Sequence, residues 1–156
     1  MEDRSEKDIT GARFLEFNIG NEKYGVELLT VIEVISIPET TPLPNSPKYI
    51  KGIMNLRGQI ITIVDLRTKL NIEPKEDQSQ CATIIVKVNN VQVGVIVDSI
   101  NKVVNVNPND LSEIVTTTKN KNSKFINSIW KSPEDYLVFL LNFEKLLDLE
   151  EVATAA

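Results

Sequence analysis

The stretch Tyr49–Arg67, YIKGIMNLRGQIITIVDLR, contains two apolar runs that are joined by the dipeptide Arg57-Gly58. Glycine adopts positive φ without strain, so the dipeptide predicts a tight turn between strands at Tyr49–Leu56 and Gln59–Leu66. The second run is apolar on both faces, which is typical of a strand in the middle of a sheet or barrel. The stretch therefore predicts a β-hairpin at the centre of the fold.

Alternation of apolar and polar residues recurs through the rest of the chain, as expected for half-buried strands. It predicts an opening hairpin around Gly20, a second hairpin around Asn89-Asn90, and a last pair of strands at Phe125–Trp130 and Tyr136–Leu141. The pattern predicts an all-β fold with short helices and about five strands in each half of the chain. Closure into two small barrels would protect the strand edges.

Three segments depart from this alternation. Four apolar residues between positions 28 and 35 have the spacing of a short amphipathic helix. Prolines crowd residues 38–47, so we expect an edge strand or an extended loop there. The polar stretch Glu73–Gln80 is interpreted as a linker, and Asn142 is expected to cap a closing helix.

The composition excludes several classes of function. The chain has 156 residues, with 17 Lys and Arg against 22 Asp and Glu, so its net charge of −5 gives no bulk attraction to nucleic acid. It has no histidine, which removes the commonest general base and transition-metal ligand. The single cysteine, Cys81, is expected to be an inert, half-buried thiol. A carboxylate pair such as Glu33 with Asp65 is more readily explained by salt bridges and turns than by catalysis. We therefore expect a binding protein without catalytic activity, metal or cofactor.

The sequence also bears on location. No apolar run reaches the roughly 20 residues that span a bilayer, and the polar first residues lack the apolar core of a signal peptide. These features predict a cytoplasmic protein that is not inserted in the membrane.

The stretch quoted first closely resembles the signature of the CheW family, the coupling proteins of bacterial chemotaxis. Three further stretches are similar to the opening hairpin and helix, a later strand pair and the closing strand and helix of that family. They are FLEFNIGNEKYGVELLTVIEV, VQVGVIVDSINKV and FLLNFEKLL. The motifs N-L-R-G and V-D-L-R are the specific part of the resemblance.

The resemblance implies two intertwined five-stranded barrels of SH3-like form and a short C-terminal helix. We expect a single domain over residues 13–150, between a flexible N-terminus at 1–12 and a disordered tail at 151–156. Within this domain the first barrel is expected at about 13–72, the second barrel at about 81–141 and the closing helix at about 143–150.

The resemblance further implies a non-catalytic adaptor that is monomeric by itself. One surface would bind the regulatory domain of the chemotaxis histidine kinase. The groove between the barrels would bind the cytoplasmic tip of a chemoreceptor, so that signalling arrays form next to the membrane.

Matches to the family's motifs give the residues expected at each surface. Arg57 matches an arginine tied to receptor coupling and Glu33 matches the acid that often faces it, so we hypothesise an ion pair between them. The full set expected in the receptor groove is Val26, Leu29, Val31, Glu33, Gly52, Arg57 and Gly94. The kinase is expected to bind near Ile37, Thr41 and Leu43, where prolines leave a strand edge open.

Two positions depart from the family pattern. Thr62 stands where many members have proline, so its strand is expected to pair more continuously. Ser128 stands where glycine is common, which puts a tight turn or close helix approach there in doubt.

Two other interpretations stay open. A scaffold of another chemosensory pathway, such as twitching motility, would have the same sequence features. A small-molecule sensor would need several convergent polar groups in the cleft between the barrels, where the candidates are mostly aliphatic.

Overall fold

The computed structural model of the protein describes residues 12–73, 76–112 and 123–148. Within them the chain forms eleven strands, two one-turn α-helices and three 3₁₀ turns. The strands are β1 Ala12–Ile19, β2 Glu22–Glu27, β3 Val31–Ile35, β4 Ile50–Leu56, β5 Gln59–Asp65, β6 Ala82–Val88, β7 Val91–Val97, β8 Ser99–Val106, β9 Leu111–Ser112, β10 Ile126–Lys131 and β11 Leu137–Leu141. The helices are α1 Leu66–Lys69 and α2 Phe143–Leu146, and the 3₁₀ turns are Leu28–Thr30, Pro108–Asp110 and Ser123–Phe125.

The strands form two separate sheets. Sheet A has six strands in the order β8-β1-β2-β11-β10-β9, and sheet B has five in the order β3-β6-β7-β5-β4. Neighbouring strands are antiparallel, except that β11 runs parallel to β2 and β5 runs parallel to β7. The predicted fold class, all-β with short helices in two β subdomains, is confirmed.

The chain passes between the sheets in an order that the sequence did not indicate. Sheet B is built from one continuous stretch, residues 31–97, whereas sheet A takes its strands from both flanks. The expected segments 13–72 and 81–141 therefore each contribute strands to both sheets. The polar linker does not separate the subdomains, because it joins β5 to β6 within sheet B. The closing helix expected at about 143–150 is shorter in the structure, because α2 ends at Leu146 and Leu147 is extended. Residues 1–11, residues 149 and 150 and the expected tail at 151–156 lie outside the described residues.

Apolar side chains pack in three clusters. The largest lies between the sheets and contains Phe17 and Ile19 of sheet A together with Ile84 and Val95 of sheet B. Each sheet has a second cluster on its other face, because successive strand residues point to opposite faces. These two clusters are Phe14, Val104, Val106, Trp130, Val138 and Leu140 for sheet A, and Ile61, Ile63, Ile85 and Ile96 for sheet B.

Sheet B curves until its two edges approach each other. Ile35 of β3 and Met54 of β4 come from opposite edges of the sheet, yet both pack against the cluster of Ile61, Ile63, Ile85 and Ile96. Opposite edges can cover one cluster only if the sheet closes towards a barrel. This closure places the β4–β5 turn beside β3.

The helix predicted over residues 28–35 is wrong. The chain instead forms the 3₁₀ turn Leu28–Thr30 and then strand β3, whose sequence VIEVI is paired with β6. Valine and isoleucine lose side-chain freedom in a helix and pack well on a pleated strand, so the β-branched content outweighs the helical spacing.

The predicted turns and the extended proline segment are confirmed. Asn89 and Asn90 have φ of 49° and 66°, and Arg57 and Gly58 have φ of 52° and 89°, so both turns place two successive residues at positive φ, as type I′ hairpins require. In the proline segment, Thr41 and Ile53 of β4 exchange two backbone hydrogen bonds of 2.9 Å. This segment therefore lies along the outer edge of β4.

The two departures from the family pattern have different surroundings. Thr62 is buried in β5, opposite Ile53 of β4 and Val93 of β7, and the β4–β5 register runs unbroken from Gln59 to Ile63. Neither ladder is interrupted at Thr62. Ser128 is half-buried and follows a register shift in the β10–β11 ladder, so the strand is irregular at this point.

Candidate functional site

A surface cleft lies where the two sheets meet at one end of the seam between them. Its volume is about 230 Å³, and we call it the seam cleft. Its walls come from β2, β10 and β11 of sheet A, from β6 of sheet B, and from α2. The lining residues are Val26, Glu27, Thr30, Val88, Asn127, Leu141, Asn142, Phe143 and Glu144.

Three of the expected groove residues lie in or next to this cleft. Val26 is buried in the central core and forms part of the cleft lining. Leu29 precedes the lining residue Thr30 and is 98% exposed. Val31 is half-buried against the central core and pairs with Val86 of β6. An almost fully exposed leucine gains nothing from folding, so its apolar surface is available to a partner.

The hypothesised ion pair between Glu33 and Arg57 is confirmed. The Arg57 Nη1 atom lies 3.0 Å from the Glu33 Oε2 atom. Glu33 projects from β3 at one edge of sheet B, and Arg57 occupies the β4–β5 turn at the other edge. The pair therefore spans the gap where sheet B closes.

The two partners differ in their exposure to solvent. The Arg57 side chain is 71% exposed and the Glu33 side chain 25%. The second carboxylate oxygen of Glu33, Oε1, is buried and has no hydrogen-bond partner among the described residues. A partly dehydrated carboxylate depends on its counter-charge, so Glu33 holds Arg57 in place while the guanidinium stays accessible.

The ion pair and the seam cleft lie at the same end of sheet B. Strands β5 and β7 are parallel, and they begin after the turns at Arg57-Gly58 and Asn89-Asn90, so these turns are neighbours. Val88, which lines the cleft, immediately precedes the second turn. We call this end of the molecule, with its exposed Leu29, the cleft end.

The structure does not bring the two expected glycines to the surface. A Cβ atom on Gly94 would lie 2.5 Å from Ile63 Cδ1 and 3.0 Å from Thr83 Cγ2, inside sheet B. Gly52 is also buried, with φ of 150°, and a Cβ there would lie 2.4 Å from the carbonyl oxygen of Thr41. Gly94 thus allows close packing within the subdomain, and Gly52 allows the proline segment to reach β4.

The residues expected to bind the kinase occupy the proline segment and its flank. Ile37 is half-buried against the isoleucine cluster on the far face of sheet B, which contains Ile61 and Ile63. Leu43 is half-buried against the central core between the sheets. Thr41 between them is exposed, as are Pro42 and Pro44. Two anchored apolar residues therefore hold an exposed stretch of chain.

Most of the cleft lining was missed by sequence reasoning. Val26 was expected in the groove, whereas Asn142 was expected only to cap the closing helix, which it does, since its Oδ1 atom accepts a hydrogen bond of 3.2 Å from the Lys145 amide. The sequence around Asn142 predicted a helix cap, and the sequence around Val88 predicted a hairpin strand. Neither indicated that α2 and β6, which are far apart in sequence, face the same cleft.

In the described parts of the chain, no group of three or more Asp, Glu or Cys side chains could hold a metal ion. None of the helices in residues 12–73, 76–112 and 123–148 is long and apolar enough to cross a membrane.

Comparison with known proteins gives consistent results. The family model described as CheW-like domain matches residues 13–151. The chain is 30% identical over 146 residues to the chemotaxis protein CheW of Klebsiella aerogenes, covering 94% of this chain and 87% of that protein. It is 27% identical over 146 residues to the chemotaxis protein CheW of Bacillus subtilis, covering 94% of this chain and 93% of that protein.

A solved structure shares the fold. The crystal structure of the scaffolding protein TtCheW from Thermoanaerobacter tengcongensis matches with a TM-score of 0.80 at 26% identity. The match covers 88% of this chain and 93% of that chain. The chain therefore belongs to the CheW-like domain family and is a non-catalytic adaptor of bacterial chemotaxis.

Proposed function

We propose that the cleft end binds the cytoplasmic hairpin tip of a chemoreceptor, and that the segment around Thr41 binds the regulatory domain of the chemotaxis histidine kinase. The protein then acts in the cytoplasm at receptor arrays, as a monomer that joins two partners. The observation that carries this proposal is the exposed Arg57 held by Glu33 beside the seam cleft.

The cleft end offers suitable chemistry for a helical hairpin. Leu29 is 98% exposed, and Ile32 and Val34 on the edge strand β3 are 46% and 43% exposed. An amphipathic helix can cover such an apolar strip with residues at i, i+3, i+4 and i+7. Arg57 adds a planar fork of donors that suits a carboxylate or carbonyl group of the partner.

The proline segment offers a different surface. Thr41 and its proline neighbours lie on the outer edge of β4, on the opposite edge of sheet B from β3. The two proposed surfaces use different residues, because Thr41 lies beside Ile53 in the middle of β4 and Arg57 follows the end of that strand. Weak contacts of this kind gain strength when many adaptors are linked in one array.

The test measures each partner alone and then both together. Calorimetry of the intact protein with a soluble receptor-tip fragment and with the isolated kinase regulatory domain should show binding in both cases. A Thr41→Arg variant should lose kinase-domain binding and keep receptor-tip binding. If the kinase domain fails to bind, or if the receptor tip displaces it, the two-surface proposal is wrong.

A further inference from the structure

Arg67 and Asp98 form a second ion pair, which is more buried than that of Arg57. The Arg67 Nε atom lies 2.7 Å from Asp98 Oδ1, and Nη2 lies 2.6 Å from Asp98 Oδ2. The two side chains are only 16% and 7% exposed. This two-bond geometry fixes the orientation of both groups as well as their distance.

The pair connects elements of both sheets. Asp98 is the residue at which the chain crosses from β7 of sheet B to β8 of sheet A. Its Oδ2 atom also accepts a hydrogen bond of 2.7 Å from the amide of Gly20, in the β1–β2 turn of sheet A. Arg67 lies in α1, directly after β5 of sheet B, and also donates to the carbonyl of Glu73. We call Arg67, Asp98 and Gly20 the seam clamp.

The seam clamp and the seam cleft lie at opposite ends of strand β2. The Gly20 turn precedes β2, and Glu27 ends β2 as part of the cleft lining. The six residues of β2 are joined by five steps of about 3.4 Å, so the two ends of the strand lie about 17 Å apart. The other crossing between the sheets, the 3₁₀ turn Leu28–Thr30, is at the cleft end. The side chain of its N-cap Glu27 makes no capping hydrogen bond, and the 2.8 Å bond from the Thr30 hydroxyl to the Glu27 carbonyl stays within the turn.

We infer that the seam clamp is the fixed point about which the two sheets are oriented, and that Arg67 and Asp98 are positioning residues which set the width of the seam cleft. The central core also joins the sheets, but the stabilisation from apolar burial is non-directional, whereas the two-bond ion pair fixes an orientation. A rotation of about 10° at the clamp would move the cleft walls by about 3 Å at a distance of about 17 Å. The inference does not depend on which partner binds the cleft.

The test measures a distance across the cleft without any partner. In a Cys81→Ser background, nitroxide labels are attached at Lys87→Cys on β6 of sheet B and Asn127→Cys on β10 of sheet A, both exposed positions. Pulsed electron paramagnetic resonance should give a narrow distance distribution for the parent. Arg67→Met should broaden or shift that distribution by several ångströms.

Two controls separate clamp loss from general loosening. A label pair within sheet B, Lys51→Cys with Lys87→Cys, should keep its distribution when Arg67 is replaced. Lys102→Met, which removes the exposed 2.7 Å pair with Glu134 in sheet A, should leave the cross-cleft distance unchanged. An unchanged cross-cleft distribution in Arg67→Met overturns the inference, and so does equal broadening of both label pairs.

A second variant covers the case in which Arg67→Met does not fold. Arg67→Lys keeps the charge and loses the planar fork, so it should broaden the cross-cleft distribution to a smaller extent. If this variant is folded and its distribution equals that of the parent, the two-bond geometry does not orient the sheets and the inference fails.

Discussion

Glu33 and Arg57 join opposite edges of sheet B through an ion pair of 3.0 Å, yet Arg57 keeps 71% of its side chain exposed. An ion pair this exposed contributes about 0–1 kcal/mol to the free energy of unfolding. The guanidinium group nevertheless has donors that remain accessible to a second molecule. Arg57 is therefore better suited to recognition than to stabilisation.

Reversing this charge should separate binding from stability. In Arg57→Glu, a second carboxylate would face Glu33, and the donors for a receptor tip would be lost. We expect at least about a tenfold loss of receptor-tip affinity, equal to about 1.4 kcal/mol, with a folded protein. Calorimetry with the receptor-tip fragment measures the first quantity and thermal unfolding the second.

Lys131→Glu is the matched control for this charge reversal. Lys131 is 65% exposed and pairs with Asp135 at 3.3 Å, on sheet A beside the β10–β11 turn. Its reversal should leave receptor-tip affinity unchanged. Equal losses of affinity in the two variants would mean that net charge, and not the position of Arg57, governs binding.

Leu29 offers a test of the apolar part of the cleft end. Because the side chain is 98% exposed, Leu29→Ser should change the free energy of unfolding by no more than about 0.5 kcal/mol. Receptor-tip affinity should fall, since the partner loses an apolar contact. Leu137→Ser is the control, because Leu137 is also exposed, at 52%, but lies away from the cleft. It begins β11, whereas the cleft-lining residue Leu141 is at the other end of that strand. A loss of affinity only in Leu137→Ser would contradict the placement of the site.

Gly94→Ala should destabilise the protein through crowding inside sheet B. The new methyl group would lie 2.5 Å from Ile63 Cδ1, so neighbouring side chains must shift at a cost of about 1–3 kcal/mol. Urea unfolding of the variant and the parent measures this difference.

The double variant Gly94→Ala with Ile63→Val checks the cause. Valine lacks the Cδ1 atom that the new methyl group would meet. The double variant should therefore be more stable than the sum of the two single changes predicts. Strict additivity would show that contact with Ile63 is not the source of the loss.

Tyr24 should make stability depend on pH in the alkaline range. Burial raises the pKa of Tyr24 to about 12, and the negative charge of Glu22 adds to this effect. Below about pH 9 both states keep the phenol proton, so this group causes no pH dependence there. Between pH 10 and 12 the unfolded chain loses the proton and the folded chain keeps it, so the free energy of unfolding falls by about 2 kcal/mol.

The measurement compares the parent with Tyr24→Phe. Urea unfolding of both at intervals from pH 8 to pH 12 gives two stability curves, and the parent should fall more steeply than the variant above pH 10. Parallel curves across this range would show that Tyr24 keeps its ordinary pKa in the folded state.

The sequence indicated local structure well because that information is carried by neighbouring residues. Alternation predicted the strands, and the dipeptides Arg57-Gly58 and Asn89-Asn90 predicted turns that need positive φ. The error at residues 28–35 has the same origin, since helical spacing and β-branched content conflict there and only pairing with β6 decides between them.

Strand partners and the long-range pairs could not be predicted from the same patterns. Ala12 pairs with Val106, and alternation tells which face a residue occupies without telling which strand lies beside it. Nothing in the pattern around Asp98 indicated its pairing with Arg67, which lies 31 residues away. The Glu33–Arg57 pair was anticipated only because the family's motif was recognised.

The continuous course of sheet B affects how the chain can fold during synthesis. Strands β3 to β7 are complete once residue 97 has left the ribosome, whereas β1 must wait for β8 and β2 for β11. Because domains generally fold as units during synthesis, sheet B can fold first. The opening hairpin β1–β2 then still lacks its neighbours β8 and β11. Translation pauses before residue 99 would therefore prolong the exposure of that hairpin's apolar faces to chaperones.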